Sequence, residues 1–248
     1  MKVSIITATY NSENVIEDCL SSVFNQNYHN IESIVIDGNS SDQTISIVKK
    51  LKKNHHDIKI LSESDSGIYD ALNKGIALSE GEIIGFLHSD DILKSNRIID
   101  EIVKMIKSKN LDGIYGNLHY VDKYDITKVI RNWKSSDFNH DLLKKGWMPP
   151  HPTLFLKKNV YDRHGYFNLS YSISADYDFI LRIFKDTELK FGFLPKVITA
   201  MRIGGKSNRS LKNMITKTIE DYRVISNNST GNIMTLLRKN ISKIEQFF

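Results

Sequence analysis

Val3-Ser4-Ile5-Ile6-Thr7-Ala8-Thr9-Tyr10-Asn11 is a short, β-branched, nearly all-apolar run that ends on polar residues. A strand buried on both faces of a parallel sheet reads this way, without the alternation of a half-exposed strand. From Glu13 to about Gln26, Val15, Ile16, Cys19, Leu20 and Val23 then recur at helical spacing, with Asn11 or Ser12 as candidate N-cap. The pattern repeats: strand over 31–36 and helix over 41–51, strand over 58–61 and helix over 68–78, strand over 82–87 and helix over 98–106. Four strand-then-helix units predict an α/β fold, a doubly wound and mainly parallel sheet flanked by helices.

Beyond Leu111 the rhythm changes. Strands are expected over 113–121 and 127–133, a helix over 176–184, and one or two strands over 191–201. Gly146 to Pro152 holds three of the four prolines, which excludes a helix interior or central strand and predicts a stiff loop at the surface or lining a cleft. After Gly204-Gly205 the reading is helical, over 211–225 and 233–247. The expected organisation is one α/β domain over 1–207 and a helical tail over 208–248.

Composition narrows the class. In 248 residues, 40% are hydrophobic and 25% charged, with 13 glycines, which excludes collagenous and disordered chains. A single cysteine, Cys19, excludes an internal disulfide framework and a cysteine-rich zinc site, and places the expected compartment among reducing ones, the cytoplasm. Cys19 falls on the apolar face of the first helix and reads as packing. No apolar run approaches the roughly 18 residues of a membrane span. From Lys196 onward ten Lys/Arg stand against three acids, whereas the preceding residues carry 24 bases and 26 acids. A basic end of this kind is either a solvated face or a surface for an anionic partner. Nucleic acid is disfavoured, because aromatic residues are not interleaved with these bases.

Ligands of an open parallel sheet bind at the carboxyl ends of its strands. Those ends carry Thr7, Thr9 and Tyr10; Asp37-Gly38-Asn39-Ser40; Glu63 and Asp65; and His88-Ser89-Asp90-Asp91. An isolated Asp after a strand is more often a helix cap, but here three of four ends direct carboxylates to one rim. Adjacent Asp90 and Asp91 repel unless a cation or proton intervenes, and an oxygen-only donor set points to Mg²⁺ or Mn²⁺ completed by substrate phosphates. Thr7 to Asn14 contains no glycine, which excludes the dinucleotide-binding turn, and no Walker-type phosphate loop occurs.

Five blocks in order then carry a resemblance: residues 5–11, 36–44, 67–75, 86–91 and 175–182, the last being Ala175-Asp176-Tyr177-Asp178-Phe179 followed by Leu181-Arg182. Together they resemble family 2 glycosyltransferases of the GT-A fold. The resemblance implies inverting transfer from a nucleotide diphosphate sugar, a UDP-sugar as first expectation, to a saccharide or lipid-linked saccharide hydroxyl in cell-surface polysaccharide or lipopolysaccharide assembly. It divides the domain into a nucleotide-sugar half over about 1–110 and an acceptor half over about 111–207. By the resemblance, Thr7, Thr9, Tyr10, Asp37 and Asp65 belong to the nucleotide site, Asp90 meets the ribose or a metal-bound water, Asp91 holds Mn²⁺ or Mg²⁺, and Asp176 is the general base. The chain departs from the pattern at Gly38, where many members carry a second acid, at Leu72, often basic, and at His88, often acidic. Asp178 reads as a cap or salt-bridge partner. His151 is open between contact with acceptor or phosphate and a rigid loop position at a cleft edge, and Arg202 and Lys206 between a pyrophosphate contact and solvation.

Two other classes compete. A nucleotidyltransferase would open on a glycine-rich basic loop, which is missing. An inactive sugar-nucleotide or glycan-binding module would have lost Asp91 or Asp176. In the tail, Ile233, Leu237, Ile241, Ile244 and Phe248 form one apolar stripe widened by Met234, Leu236 and Phe247, with Lys239 and Lys243 off it and Arg238 beside it. Such a stripe packs on its own domain or a second subunit, or lies in a lipid interface as a peripheral contact at the cytoplasmic membrane face.

Overall fold

In a computed structural model, the structure describes residues 1–55, 57–204 and 211–241. Among the described residues, nine strands form one mixed sheet in the order β3-β2-β1-β4-β8-β6-β9-β5, with β7 attached to β6. The first half follows the sequence reading closely. Strands β1 (Val3–Thr9), β2 (Ile31–Asp37), β3 (Ile58–Ser62) and β4 (Ile83–Phe86) alternate with α1 (Ile16–Phe24), α2 (Thr44–Lys52) and α3 (Ile68–Leu78) and pair in parallel, Thr9 opposite Asp37. The apolar run of β1 is divided by its period of two. Ile6 and Ala8 pack with Ala71, Leu72 and Ile76 of α3, while Val3 and Ile5 face Cys19 and Val23 of α1. Fully burying each such aliphatic chain contributes about 2 kcal/mol, so β1 is held from both sides.

The second half is only partly parallel. β6 (Gly113–Val121) and β9 (Phe191–Arg202) run parallel, but β8 (Phe155–Lys157) inserts antiparallel between β4 and β6, β7 (Val129–Trp133) runs antiparallel along β6, and β5 (Asp91–Leu93) runs antiparallel to β9. Gly85 is what lets β8 in: a Cβ there would lie 2.2 Å from the Phe155 ring. Helix α4 (Ile98–Lys109) covers the α1 face. Short α5 (Asp141–Lys144) and α6 (Lys158–His164) precede α7 (Ala175–Phe184), which packs on the α3 face.

Of the two places expected for the proline segment, the surface is excluded: Pro149 to Thr153 is buried, with His151–Thr153 forming a 3-10 turn. Two of its carbonyls are satisfied by threonine hydroxyls, whereas His151 Nε2 is buried with no hydrogen-bond partner among the described residues. Thr153 Oγ1 donates to Pro150 O at 2.7 Å, and Thr199 Oγ1 donates to Pro152 O at 2.9 Å. In the tail, α8 (Leu211–Asn227) and α9 (Ile233–Ile241) pack on α7, with Val224, Ile225 and Leu236 in its core. Lys239 is not a solvent-facing cation. It is buried 3.1 Å from the centroid of the Tyr177 ring and 3.0 Å from Asp221. The stripe residues Ile233, Met234, Leu237 and Ile241 face outward, 48–61% exposed. Lys243, Ile244, Phe247 and Phe248 lie outside the described residues, as do Gly205 and Lys206. Among the described residues, no helix is long and apolar enough to cross a membrane.

Candidate active site

The loops after β1 and β2 are stitched together by their own polar side chains. Main-chain N–H groups of Asn11, Ser12 and Glu13 donate to Ser40 Oγ, Thr44 Oγ1 and Asp42 Oδ2 at 2.8, 2.7 and 3.1 Å, and Gln43 N donates back to Glu13 Oε2 at 2.9 Å. These lateral bonds delay α1 to Ile16, and neither Asn11 nor Ser12 caps it through its side chain, contrary to expectation. Asp37 is wholly buried at the end of β2. It accepts from Ser40 N at 3.0 Å, Ser40 Oγ at 2.5 Å and Ser62 Oγ at 2.7 Å, so it braces the β2 and β3 ends.

Gly38 marks where the third loop closes in. A Cβ at 38 would lie 2.7 Å from Asp65 Oδ2 and 3.5 Å from the Tyr10 ring. Asp65 therefore brings a carboxylate into the space beside Gly38, where the family pattern often has a second acid. The other Asp65 oxygen accepts the Gly67 N–H at 2.9 Å, and Gly67, at φ 121°, uses a backbone conformation that suits glycine. Tyr10 is 54% exposed at this rim. Thr7 and Thr9 are buried, and neither hydroxyl oxygen has a hydrogen-bond partner among the described residues.

The fourth strand end is built differently. After β4, Asp91 N donates to His88 O at 2.9 Å and Cys19 Sγ donates to the same carbonyl at 3.2 Å. Arg202, buried at the end of β9, donates to Asp90 O at 2.8 Å and pairs with Asp18 at 2.7 Å, so this arginine holds the turn. Asp91 heads β5 opposite Met201 and is completely buried, yet neither carboxylate oxygen meets a donor at hydrogen-bond geometry. Burial holds its carboxyl well above the ordinary carboxylate range; the Asp90 charge pushes the same way, against the Arg202 main chain and guanidinium. A buried, unpartnered carboxylate costs stability unless a proton or cation joins it. Asp91 fits a divalent cation on that ground. Among the described residues no three His, Cys, Asp or Glu side chains gather as a metal cage, so Mg²⁺ or Mn²⁺ at Asp91 would need phosphate and water for most of its ligands.

Asp176, in the first turn of α7, closes the site. The single hydroxyl proton of Tyr69 of α3 is shared between Ile173 O at 2.5 Å and Asp176 Oδ1 at 3.1 Å. His88 and His151 lie between the two acidic centres, their rings 6.2 Å apart, with His151 packed on Phe86 and Phe167. Burial lowers His151 to about 4, against the pull of the Asp176 charge. It also lowers His88, against Asp90 and Asp176. Both rings are therefore neutral hydrogen-bonding groups at neutral pH. Asp178 instead accepts from Arg182 Nε at 2.9 Å and Asn228 Nδ2 at 3.0 Å, a structural role.

The model of the family described as glycosyl transferase family 2 matches residues 4–167. The chain belongs to glycosyl transferase family 2. This transferase is 28% identical over 211 residues to a PGL/p-HBAD biosynthesis glycosyltransferase of Mycobacterium bovis, covering 83% of this chain and 78% of that one. It is 27% identical over 225 residues to chondroitin synthase of Pasteurella multocida, covering 90% of this chain and only 23% of the synthase. Among solved structures, S. aureus TarS 1–349 in complex with UDP superposes with TM-score 0.69 at 21% identity, covering 92% of this chain and 65% of that one. The mannosyltransferase PcManGT from Pyrobaculum calidifontis, in complex with GDP-Man and Mn²⁺, superposes with TM-score 0.67 at 20% identity, covering 91% and 63%. These matches show the GT-A fold, and this chain spans about two thirds of the two structures.

Sequence reasoning missed three supports of the transferase site. Tyr69 carried no signal apart from its block. Arg202, read as a ligand contact or as solvated, is buried and braces Asp90 O and Asp18. Glu220 on α8 accepts the main-chain N–H groups of Ser172, Ile173 and Ser174, the turn leading into α7, and Asp221 accepts from Ser174 Oγ at 2.8 Å. Two adjacent acids in an otherwise basic segment were the available clue.

Proposed function

We propose that this transferase moves a sugar from a nucleoside diphosphate sugar, with UDP as the first nucleotide to test, to a saccharide hydroxyl with inversion. The observation that carries the reading is Asp91, a carboxylate sealed at a strand end with neither oxygen hydrogen-bonded. Asp91, with donor phosphates and water, would hold Mg²⁺ or Mn²⁺, and such an ion neutralises charge on the departing diphosphate. Thr7, Thr9, Tyr10, Asp37 and Asp65 line the nucleotide end, and Asp90 faces the ribose or a metal-bound water. Asp176 takes the proton of the acceptor hydroxyl as its oxygen bonds to the anomeric carbon and the bond to the diphosphate breaks. Tyr69 fixes one Asp176 oxygen so that the other can face the hydroxyl.

The acceptor in this reading is a saccharide of cell-surface polysaccharide or lipopolysaccharide assembly, free or lipid-linked, met at the cytoplasmic membrane face. The outward rows Ile233, Met234, Leu237 and Ile241 of α9 and Met214, Ile215 and Ile219 of α8 support a peripheral lipid contact. The deciding experiment measures nucleotide release from UDP- and GDP-sugars for wild type, Asp91→Asn and Asp176→Asn, with Mn²⁺ and with excess EDTA. Asp176→Asn is expected to lose about 10²-fold in turnover with nucleotide affinity retained. Full activity in EDTA, or unchanged turnover in either variant, overturns the assignment.

A further inference from the structure

The sheet places an arginine and an aromatic pair in register with Asp91. Across four strands, Arg131 of β7 is opposite Tyr120 of β6, Tyr120 is opposite Met201 of β9, and Met201 is opposite Asp91 of β5. Residues opposite one another across paired strands point to the same face. Trp133, two residues from Arg131 and opposite Leu118, shares that face. With strands about 4.8 Å apart, the row from Asp91 to Arg131 spans about 14 Å. The guanidinium carbon of Arg131 lies 4.6 Å from the Tyr120 ring centroid and 5.9 Å from that of Trp133. All three side chains are partly exposed. The electrostatics agree with this placement: burial raises the Tyr120 phenol, Arg131 opposes, and the charges of Asp91 and Asp176 raise it further.

An aromatic ring at a sugar site offers a flat apolar face for the C–H side of a pyranose. A guanidinium stacked on aromatic faces carries its N–H donors along its edge, in the fork geometry that matches carboxylate or phosphate. We propose that Tyr120, Arg131 and Trp133 form the acceptor subsite, and that it selects a saccharide bearing an anionic substituent, carboxylate or phosphate. This rests on the glycosyltransferase reading of Asp91 and Asp176, and names the acceptor class that reading leaves open.

The test compares matched probes by ligand-observed NMR titration of the full chain, with and without UDP and Mg²⁺: p-nitrophenyl β-glucuronide against p-nitrophenyl β-glucoside, and glucose 6-phosphate against glucose. At least one anionic probe is expected to bind about tenfold tighter than its neutral partner; which pair shows the preference separates a carboxylate from a phosphate. Arg131→Gln should abolish that ratio, and Trp133→Ala should weaken both members of a pair together. Far-UV circular dichroism and a cooperative thermal transition, both without nucleotide, report that each variant is folded. Equal binding within both pairs, or a ratio that persists in Arg131→Gln, overturns the inference. Loss of UDP binding in Arg131→Gln would reassign Arg131 to the donor and also overturn it. Failure of the wild type to bind either UDP or GDP counts against the glycosyltransferase site, while the ratio measured without nucleotide still decides the acceptor question.

Discussion

Glu220 Oε2 accepts the main-chain N–H of Ser174 at 2.9 Å, two residues before Asp176. The same carboxylate accepts from Ile173 N at 2.8 Å and, through its other oxygen, from Ser172 N and Oγ at 2.9 and 2.7 Å. A helix of the tail thus fixes the entry to the helix that carries the candidate base, at the end where an anion is favoured by the helix dipole. Glu220→Ala should lower turnover by about tenfold or more, since small misplacements of a reacting group are costly, while UDP affinity stays unchanged. Glu220→Gln should restore part of the loss. Steady-state kinetics beside nucleotide titration checks both.

Asp91 should make the cation effect depend on pH. Its folded-state pKa is raised, so its contribution to metal-free stability is complete below the ordinary carboxylate range and is lost as pH rises through the raised value. A cation needs the ionised form and competes with the proton. The extra melting temperature given by UDP with Mn²⁺ over UDP alone should therefore grow with pH. In Asp91→Asn it should be small and flat.

Gly38→Asp should damage the nucleotide site although it restores the residue type many family members carry. Its Cβ would approach Asp65 Oδ2 to 2.7 Å, and two carboxylates would then share one space. A loss of UDP affinity of about tenfold is expected, on the scale of 1.4 kcal/mol. Gly38→Asp combined with Asp65→Ser should recover affinity; calorimetric titration of UDP decides.

At the opposite end of the sheet, buried Glu32 pairs with Lys2 and Lys59 at 3.0 Å each and accepts from Ser4 Oγ at 2.6 Å. Burial works against the carboxylate, but these partners and the Glu80 main chain lower it to about 2. Its stabilisation is therefore present above the ordinary glutamate range and is lost only as pH falls towards 2. Glu32→Gln should destabilise by about 1 kcal/mol, because Lys2 and Lys59 are about one-third exposed and keep Glu80 as a partner. Urea denaturation at pH 7 measures it.

Leu237→Glu with Ile241→Glu should abolish sedimentation with vesicles of anionic phospholipid, which the wild type is expected to show at low salt and to lose at high salt. Both residues face outward on α9, so melting temperature should hardly change. Equal sedimentation of both proteins would remove the lipid contact from α9.

The first four strands and their helices were legible because each is specified by local periodicity: β1 buries every residue, and α1 buries Ile16, Cys19, Leu20 and Val23 as its spacing requires. Asp37, Asp65, Asp90 and Asp91 were legible as a rim because carboxyl ends of parallel strands share one edge. What those carboxylates do separately was decided only in three dimensions. Asp37 is occupied by serines from two loops, and Asp91 is left without a donor because β9, more than 100 residues later, buries it. Three-residue β5 and β8 have no pattern of their own and exist through their partners. The tail shows the same limit. Periodicity identified α8 and α9 as amphipathic, but the face turned inward on α9 carries Thr235, Leu236 and Lys239, because Tyr177 and Asp221 offer a buried cation both a ring and a charge. A sequence states which side chains share a face. Which face is covered, and which polar group meets a partner, depends on contacts between residues far apart in the chain, and only the packed structure supplies them.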